Sequence, residues 1–313
     1  MVSLNELGER ELIANVLNII RRPPGLGPCD DSALIPPICG DVVACIDSVS
    51  FERHFPKGMT YAEFGWTAAT VNISDLASMG AEPIGLLAAV MMPGDLDEKS
   101  LYDIMAGMDR CAETFGAYIY GGDTKPGCGA VSCTAIGSLR GRRPMLRSGA
   151  RPGDLVAVTG SLGSAAAGFF ASETSISDSV SLSSLMTPVP RVDEGILLSA
   201  SGAVTSCIDL SDGLADGARS ICSASSVGMD IQMEFLPEGK GVDTVSSGLG
   251  IAKEEMMLYW GGDYELLFTF GRDRVDALYD LGAEFSVVGR VTDENAPYII
   301  CGNKRTVMGN GRY

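Results

Sequence analysis

Val71-Asn72-Ile73-Ser74-Asp75-Leu76-Ala77-Ser78-Met79-Gly80-Ala81 belongs to the stretch that decides the fold. Working outward from it, residues 60–79 read as one long helix. Thr60 and Glu63 form a capping box at its start, Gly80 suits the position just past its end, and Pro83 follows. The helix is otherwise largely Ala, Val, Ile, Leu and Met, so Asp75 stands mid-helix with no cap to serve. A carboxylate in apolar surroundings is costly unless it is paired or metal-bound. Asn72 lies one turn earlier, so both side chains project from one face.

The flanking sequence alternates strands with helices. An amphipathic helix is expected over residues 3–20, with Ser3 and Glu6 as its capping box, stopped by Arg21-Arg22-Pro23-Pro24-Gly25. Val42-Val43-Ala44-Cys45-Ile46 predicts a strand ending at Asp47, and residues 84–92 predict another. Residues 97–115 repeat the helical period. Ala117–Tyr120 is a short strand running into a Gly121-Gly122-Asp123-Thr124 loop, from which residues 130–140 return. The Gly-, Pro- and Arg-rich segment from Pro144 to Gly153 marks a boundary between domains 1–148 and 149–313. Beyond it come strand 155–158, the turn Gly160-Ser161-Leu162-Gly163, a small-residue helix, and a Ser-rich surface excursion over 171–186. Helices near 191–200, 212–224, 253–259 and 272–281 then alternate with strands near 203–208, 228–235, 264–270 and 284–290. Both halves are therefore α/β (of the α+β type). The pattern gives neither strand direction nor order.

Composition narrows the function. The 313 residues are about twice a typical domain, which makes two domains the expectation. A net charge of −17 without a basic run argues against nucleic acid as a partner. Nine cysteines without a C-x-x-C pair argue against a disulfide framework and a structural zinc site. There is no basic-then-apolar leader and no apolar run of about 18 residues, so a cytoplasmic chain with no membrane partner is expected. The single histidine, His54, excludes an H-E-x-x-H zinc site, and no G-x-S-x-G elbow accompanies it.

The acids recur beside predicted elements: Asp30 and Asp31 after a Pro/Gly turn, Asp47, Asp75, Asp123, Asp209, Asp212 and Asp263. Taken singly, most of these suit turns. Taken together, carboxylates from at least four segments could share divalent metal. Mg²⁺ takes one or two carboxylates plus waters and substrate phosphates. An enzyme joining two phosphorylated substrates needs such ions to offset their repulsion. No P-loop or protein-kinase signature is present, so a nucleotide site must be of another kind. Gly160-Ser161-Leu162-Gly163 is either a set of amides for phosphate or a plain strand–helix turn.

Seven segments in register resemble the thiamine-monophosphate kinase family. They are Asp30–Ala33, Asp47-Ser48 with His54-Phe55, Val71–Ala81, Gly121–Thr124, Arg147–Asp154, Ile208–Leu214 and Asp263–Leu266. That family shares a superfamily with aminoimidazole ribonucleotide synthetase, selenophosphate synthetase and a hydrogenase-maturation protein. The resemblance implies a two-domain aminoimidazole ribonucleotide synthetase-like fold, a homodimer paired through the N-terminal sheet, and ATP with several Mg²⁺ ions between domains and near the dimer interface. Carried over by position, Asp30, Asp47, Asp75, Asp123, Asp209 and Asp212 are the implied metal ligands. Gly122, Asp123, Arg147 and Ser211 are implied ATP contacts, and His54 a contact to thiamine monophosphate. Asp75, Asp123 and Arg147 are the implied catalytic residues. The implied reaction is direct in-line transfer of the γ-phosphate to thiamine monophosphate. The acceptor phosphate, with a second pKa of about 6, needs no general base.

The chain departs from the family pattern in three places. The family's Glu before the last Asp, an expected substrate contact, is missing in Trp260-Gly261-Gly262-Asp263-Tyr264-Glu265, so either Asp263 substitutes for it or the contact is lost. Cys45 and Ile46 stand where hydroxyl residues are usual. The tail ends in Tyr313, a candidate for the family's aromatic near the thiamine. Selenophosphate synthetase fits less well, because Cys29 lacks a following Lys. Aminoimidazole ribonucleotide synthetase fits poorly too, because Asp47-Ser48-Val49-Ser50-Phe51-Glu52 is not D-G-V-G-T-K. A non-catalytic nucleotide-binding dimer is the alternative of another class.

Overall fold

The computed structural model describes residues 3, 4, 6, 9–24, 32–174, 176 and 179–309. Asp30, Asp31 and Tyr313 lie outside them. The chain forms two compact units, one of residues 1–76 and 82–141, the other of 77–81 and 142–313.

Unit one contains α1 (Glu9–Leu17), β1 (Val42–Ser50), α2 (Phe51–His54), α3 (Tyr61–Ser78), β2 (Glu82–Met92), α4 (Glu98–Thr114), β3 (Tyr118–Pro126) and β4 (Ala130–Ser138). The long helix begins as its capping box requires. Thr60 N–H donates to Glu63 Oε2 at 2.7 Å, and Glu63 N–H donates to Thr60 Oγ1 at 3.2 Å. Gly80, at φ 75°, follows its end. At the N-terminus Ser3 N–H does reach Glu6 Oε2 at 2.8 Å, and the described helix spans Glu9–Leu17.

The sheet runs β1-β4-β2-β3, with only β2 and β3 parallel. Its side chains alternate between two different faces. Val49, Ala88, Val90, Val131, Cys133 and Ala135 are buried on one face. The other face leaves Val42 54% and Ile46 67% exposed. α3 and α4 cross closely because two glycines permit it. A Cβ at Gly65 would lie 1.9 Å from Ile104 O, and one at Gly107 would lie 1.8 Å from Ala62 O.

Two expectations change here. β1 does not end at Asp47 but pairs with β4 through Ser50. Gly121-Gly122-Asp123-Thr124 is not a loop but the interior of β3, paired with Leu87–Val90. A bulge at this pairing lets the neighbours Ile119 and Tyr120 both be buried.

Unit two contains β5 (Leu155–Val158), α5 (Ser164–Ser172), α6 (Ser179–Met186), α7 (Val192–Ser201), β6 (Val204–Asp209), α8 (Leu214–Ser225), β7 (Gly228–Gln232), α9 (Val242–Leu249), α10 (Lys253–Leu258), β8 (Leu266–Phe270), α11 (Val275–Asp280), β9 (Ser286–Thr292), β10 (Pro297–Cys301) and β11 (Lys304–Val307). Seven strands form one mixed sheet, ordered β11-β10-β7-β9-β5-β8-β6. Both faces are covered. Val156 and Val158 join one core cluster, Ala157 the other, and every residue of β8 is buried. The Ser-rich excursion contains α6, which packs on α5.

Replacing Gly65 by Ala should destabilise the chain by about 1–3 kcal/mol, because the new methyl meets helix backbone rather than a yielding side chain. Urea unfolding measures this. A gain of about 1 kcal/mol, the effect of helix propensity alone, would contradict the packing described.

Candidate active site

In unit one the acids gather where edge strand β1 meets α3. Asp47 N–H donates to Asn72 Oδ1 at 2.9 Å, and the Cys45 thiol donates to the Asn72 carbonyl at 3.2 Å. Burial, and then the charge of Asp75, pushes the Cys45 thiol up, with Asp47 acting the same way. Asp47 and Asp75 thus approach one cysteine from a strand and a helix. Asp47 is exposed and Asp75 half-buried.

His54 ends α2 near this strand. Its Nδ1 accepts the Ser50 N–H at 3.1 Å, which leaves the ring proton on Nε2. Burial lowers its pKa, so the ring is neutral at pH 7. Phe51, Phe55, Tyr61 and Phe64 pack around α2 with ring centroids 4.9 to 5.8 Å apart.

Gly122 and Asp123 lie across the sheet. Gly122 is in line with Ala88, Cys133 and Asp47, and a Cβ there would meet Ala88 O at 1.9 Å. Asp123 is in line with Ala89, Ser132 and Ser48. Strand alternation therefore puts Asp123 on the open face and Asp47 on the helix-covered face. Asp123 accepts the Thr124 N–H at 2.9 Å and pairs with Lys125 at 3.3 Å.

In unit two, Asp209 ends β6 and is buried, while Ser211 and Asp212 are exposed in the turn before α8. Gly213, at φ 95°, opens that helix. The turn lies against residues 260–265. Gly262 N–H donates to Ser211 O at 2.9 Å, and Leu210 N–H donates to Glu265 O at 2.8 Å. Arg147 is exposed, and its segment is pinned from behind. Ser225 Oγ donates to Arg147 O at 3.2 Å and accepts the Gly149 and Ala150 amides, while Cys207 N–H bonds Leu146 O at 2.8 Å.

The turn at 160–163 is already filled from within. Asp263 Oδ2 accepts the Gly163 N–H at 2.6 Å and Oδ1 accepts the Ala165 N–H at 2.9 Å. Ser161 N–H donates to Glu265 Oε1 at 3.2 Å, and Leu162 N–H donates to Pro237 O at 2.9 Å. Of the two readings of this turn, phosphate cradle and plain strand–helix turn, the geometry selects the second. Asp263 caps α5 from 98 to 100 residues away in sequence.

Glu265, quoted in the family motif without a role, is heavily bonded. It accepts Thr159 Oγ1 at 2.7 Å, and both Nε and Nη2 of Arg191 at 2.6 Å. A Cβ at Gly160 would strike its carboxylate. No spacing in the sequence could reveal this pair, because Arg191 lies 74 residues away.

Among the described residues, no three of His, Cys, Asp and Glu cluster so as to hold a metal by themselves. Mg²⁺ does not require such a cluster. The neighbouring carboxylates Asp47 and Asp75 fit a hard cation that completes its shell with water and phosphate oxygens.

Burial raises Asp263 to about 7 against the pull of its backbone amides. Its unfolded value is about 3.9. Between these values the folded chain holds a proton that the unfolded chain releases. The group therefore adds stability at low pH, which is lost as pH rises through about 7. Unfolding free energies at pH 5 and pH 8 should show this loss, on the order of 2–3 kcal/mol, for the parent chain relative to Asp263→Asn. Parallel pH profiles for the two would contradict it.

A profile for the N-terminal domain of AIR synthase related proteins matches residues 29–139, and one for their C-terminal domain matches residues 151–302. The thiamine-monophosphate kinase of Methanospirillum hungatei is 36% identical over 281 residues, covering 89% of this chain and 92% of that protein. The crystal structure of thiamine-monophosphate kinase from Stenotrophomonas maltophilia is 28% identical, covers 93% of this chain and 94% of its own, and superposes with a TM-score of 0.78. AaThiL complexed with AMPPCP and TMP is 24% identical, covers 99% of both chains and reaches a TM-score of 0.76, a likeness of fold. The chain belongs to the thiamine-monophosphate kinase family, with the two-domain α/β fold of AIR synthase related proteins.

Proposed function

We propose that this chain is a kinase that transfers the γ-phosphate of ATP to thiamine monophosphate, giving thiamine diphosphate and ADP. The observation that carries this reading is the 36% identity, over 89% of the chain, to a thiamine-monophosphate kinase. AaThiL, of the same fold, was solved with AMPPCP and TMP.

The acceptor is a phosphate already ionised at neutral pH, so transfer needs positioning and charge neutralisation rather than a base. A neutral His54 suits that chemistry. Its Nε2–H can donate to thiamine monophosphate without taking a proton from it. Asp47 and Asp75 would hold Mg²⁺ on unit one, with Asp209 and Asp212 as the ligands offered by unit two. Bound Mg²⁺ supplies positive charge between two phosphate-bearing substrates that otherwise repel each other. Ser211 and Arg147, both exposed on pinned backbone, are the ATP contacts of unit two, and Gly122 and Asp123 those of unit one. Asp263 acts on substrate only indirectly, since its carboxylate is committed to the start of α5.

The open face of the first sheet is the surface for a second copy of the chain. It exposes Val42 and Ile46 beside the small residues Ala44 and Ser48, a shape suited to another flat sheet. Asp123 shares that face. ATP as co-substrate and the free cysteines among the described residues suit the cytoplasm. No described helix is long and apolar enough to cross a membrane.

ADP release should require thiamine monophosphate and Mg²⁺, with free thiamine and aminoimidazole precursors inactive in parallel wells. Asp75→Asn and Asp123→Asn should each lower turnover by roughly 10²-fold or more while thermal unfolding stays cooperative. Near-normal turnover in both would sink the site assignment. Ile46→Lys should shift the mass seen by light scattering from dimer to monomer, and an unchanged mass would count against pairing through this face.

A further inference from the structure

Asn72 is fully buried in α3, and its side-chain amide ties that helix to the strand carrying Asp47. Its Oδ1 accepts the Asp47 N–H at 2.9 Å, and its Nδ2 donates to Ala68 O at 3.1 Å. The second bond fixes which end of the amide faces β1. The Asn72 carbonyl accepts the Cys45 thiol at 3.2 Å. Asp75 is one turn further along the same helix. One residue therefore bonds the strand that carries Asp47 while standing one turn from Asp75 on its own helix.

The chemistry demanded at this position is narrow. The side chain must accept from a strand amide and donate to a helix carbonyl at once. Aspartate cannot donate, serine is too short to span both, and leucine does neither. Among the described strands β1 is the edge of its sheet, with β4 on one side of Asp47. Asn72 supplies the bond on the other side. Without it, Asp47 is held from one side and its carboxylate can drift from Asp75 while the strand stays paired.

We propose that Asn72 is a positioning residue that sets the spacing of Asp47 and Asp75 and thereby the cation affinity of the site. The inference rests on the reading that these two carboxylates hold Mg²⁺. Groups that orient metal ligands without touching the metal typically contribute 10- to 100-fold in affinity.

Mn²⁺, which reports on Mg²⁺ sites, is titrated into the full-length chain and followed by electron paramagnetic resonance, with and without a non-hydrolysable ATP analogue. Asn72→Leu should weaken Mn²⁺ binding by about 10-fold or more, while KM for thiamine monophosphate at saturating Mg²⁺ changes little. Asn72→Ser should fall between the parent chain and Asn72→Leu, since a water can take the vacated acceptor place. Combined with Asp47→Asn, the Asn72→Leu loss should largely vanish, because it acts through Asp47. Binding within about 2-fold of the parent for both variants, or a loss undiminished in the Asp47→Asn background, overturns the inference. So does failure of both variants to fold, which would make Asn72 a determinant of folding alone. If Asp47→Asn itself leaves Mn²⁺ binding intact, the cation reading fails instead, and the two failures are told apart.

Discussion

A carboxylate can hold a cation for a substrate only if solvent can reach it. That constraint divides the acids of this chain. Glu265 is enclosed by Thr159, the Ser161 amide and a bidentate Arg191, and Asp263 by the first amides of α5. Breaking the Arg191–Glu265 pair would strand a buried charge, a loss of about 3–5 kcal/mol in comparable cases. Those two acids build the scaffold. Asp47, Asp75 and Asp212 stand at or near solvent on backbone that other groups hold still. Asn72 holds β1 beneath Asp47, and residues 262–265 hold the turn carrying Ser211 and Asp212.

The same division explains why the site is spread over strand interiors and turns alike. Asp47 and Asp123 share one four-stranded sheet, but alternation sends them to opposite faces. A set of acids that looks uniform in sequence is therefore not one cluster in space. Asp75 alone among them was marked by its position, as a charge in mid-helix with no cap to serve.

Local rules carried a reader of the sequence far. The Thr60–Glu63 box, the Gly80 stop and the apolar runs of β1, β2 and β5 each contain their own signal, and α3 spans Tyr61–Ser78 against the expected 60–79. Glycine misled in one place. Gly121-Gly122 reads as a turn, but Gly122 serves close approach of β3 to β2, where Ala88 O leaves no room for a Cβ. The strand through Asp47 runs on to Ser50 because β4 continues to pair with it, a fact of register that β1 cannot state alone. β10 and β11 escaped for a similar reason, since both are short and defined by their partners. The roles of Glu265 and Asp263 were illegible because their partners lie 74 to 106 residues away. The two-domain α/β fold, by contrast, followed from motif order, and the family to which the chain belongs agrees with it.

Family membership and local geometry meet in one chemical claim: phosphate passes directly from nucleotide to a phosphate acceptor, without a base and without release to water. Phosphorus NMR of a single reaction holding ATP, thiamine monophosphate and Mg²⁺ tests it most directly. The account predicts that the monophosphate resonance is replaced by a diphosphate pair in step with ADP, with inorganic phosphate absent. Inorganic phosphate appearing in step with ADP, while the monophosphate signal persists, would contradict it.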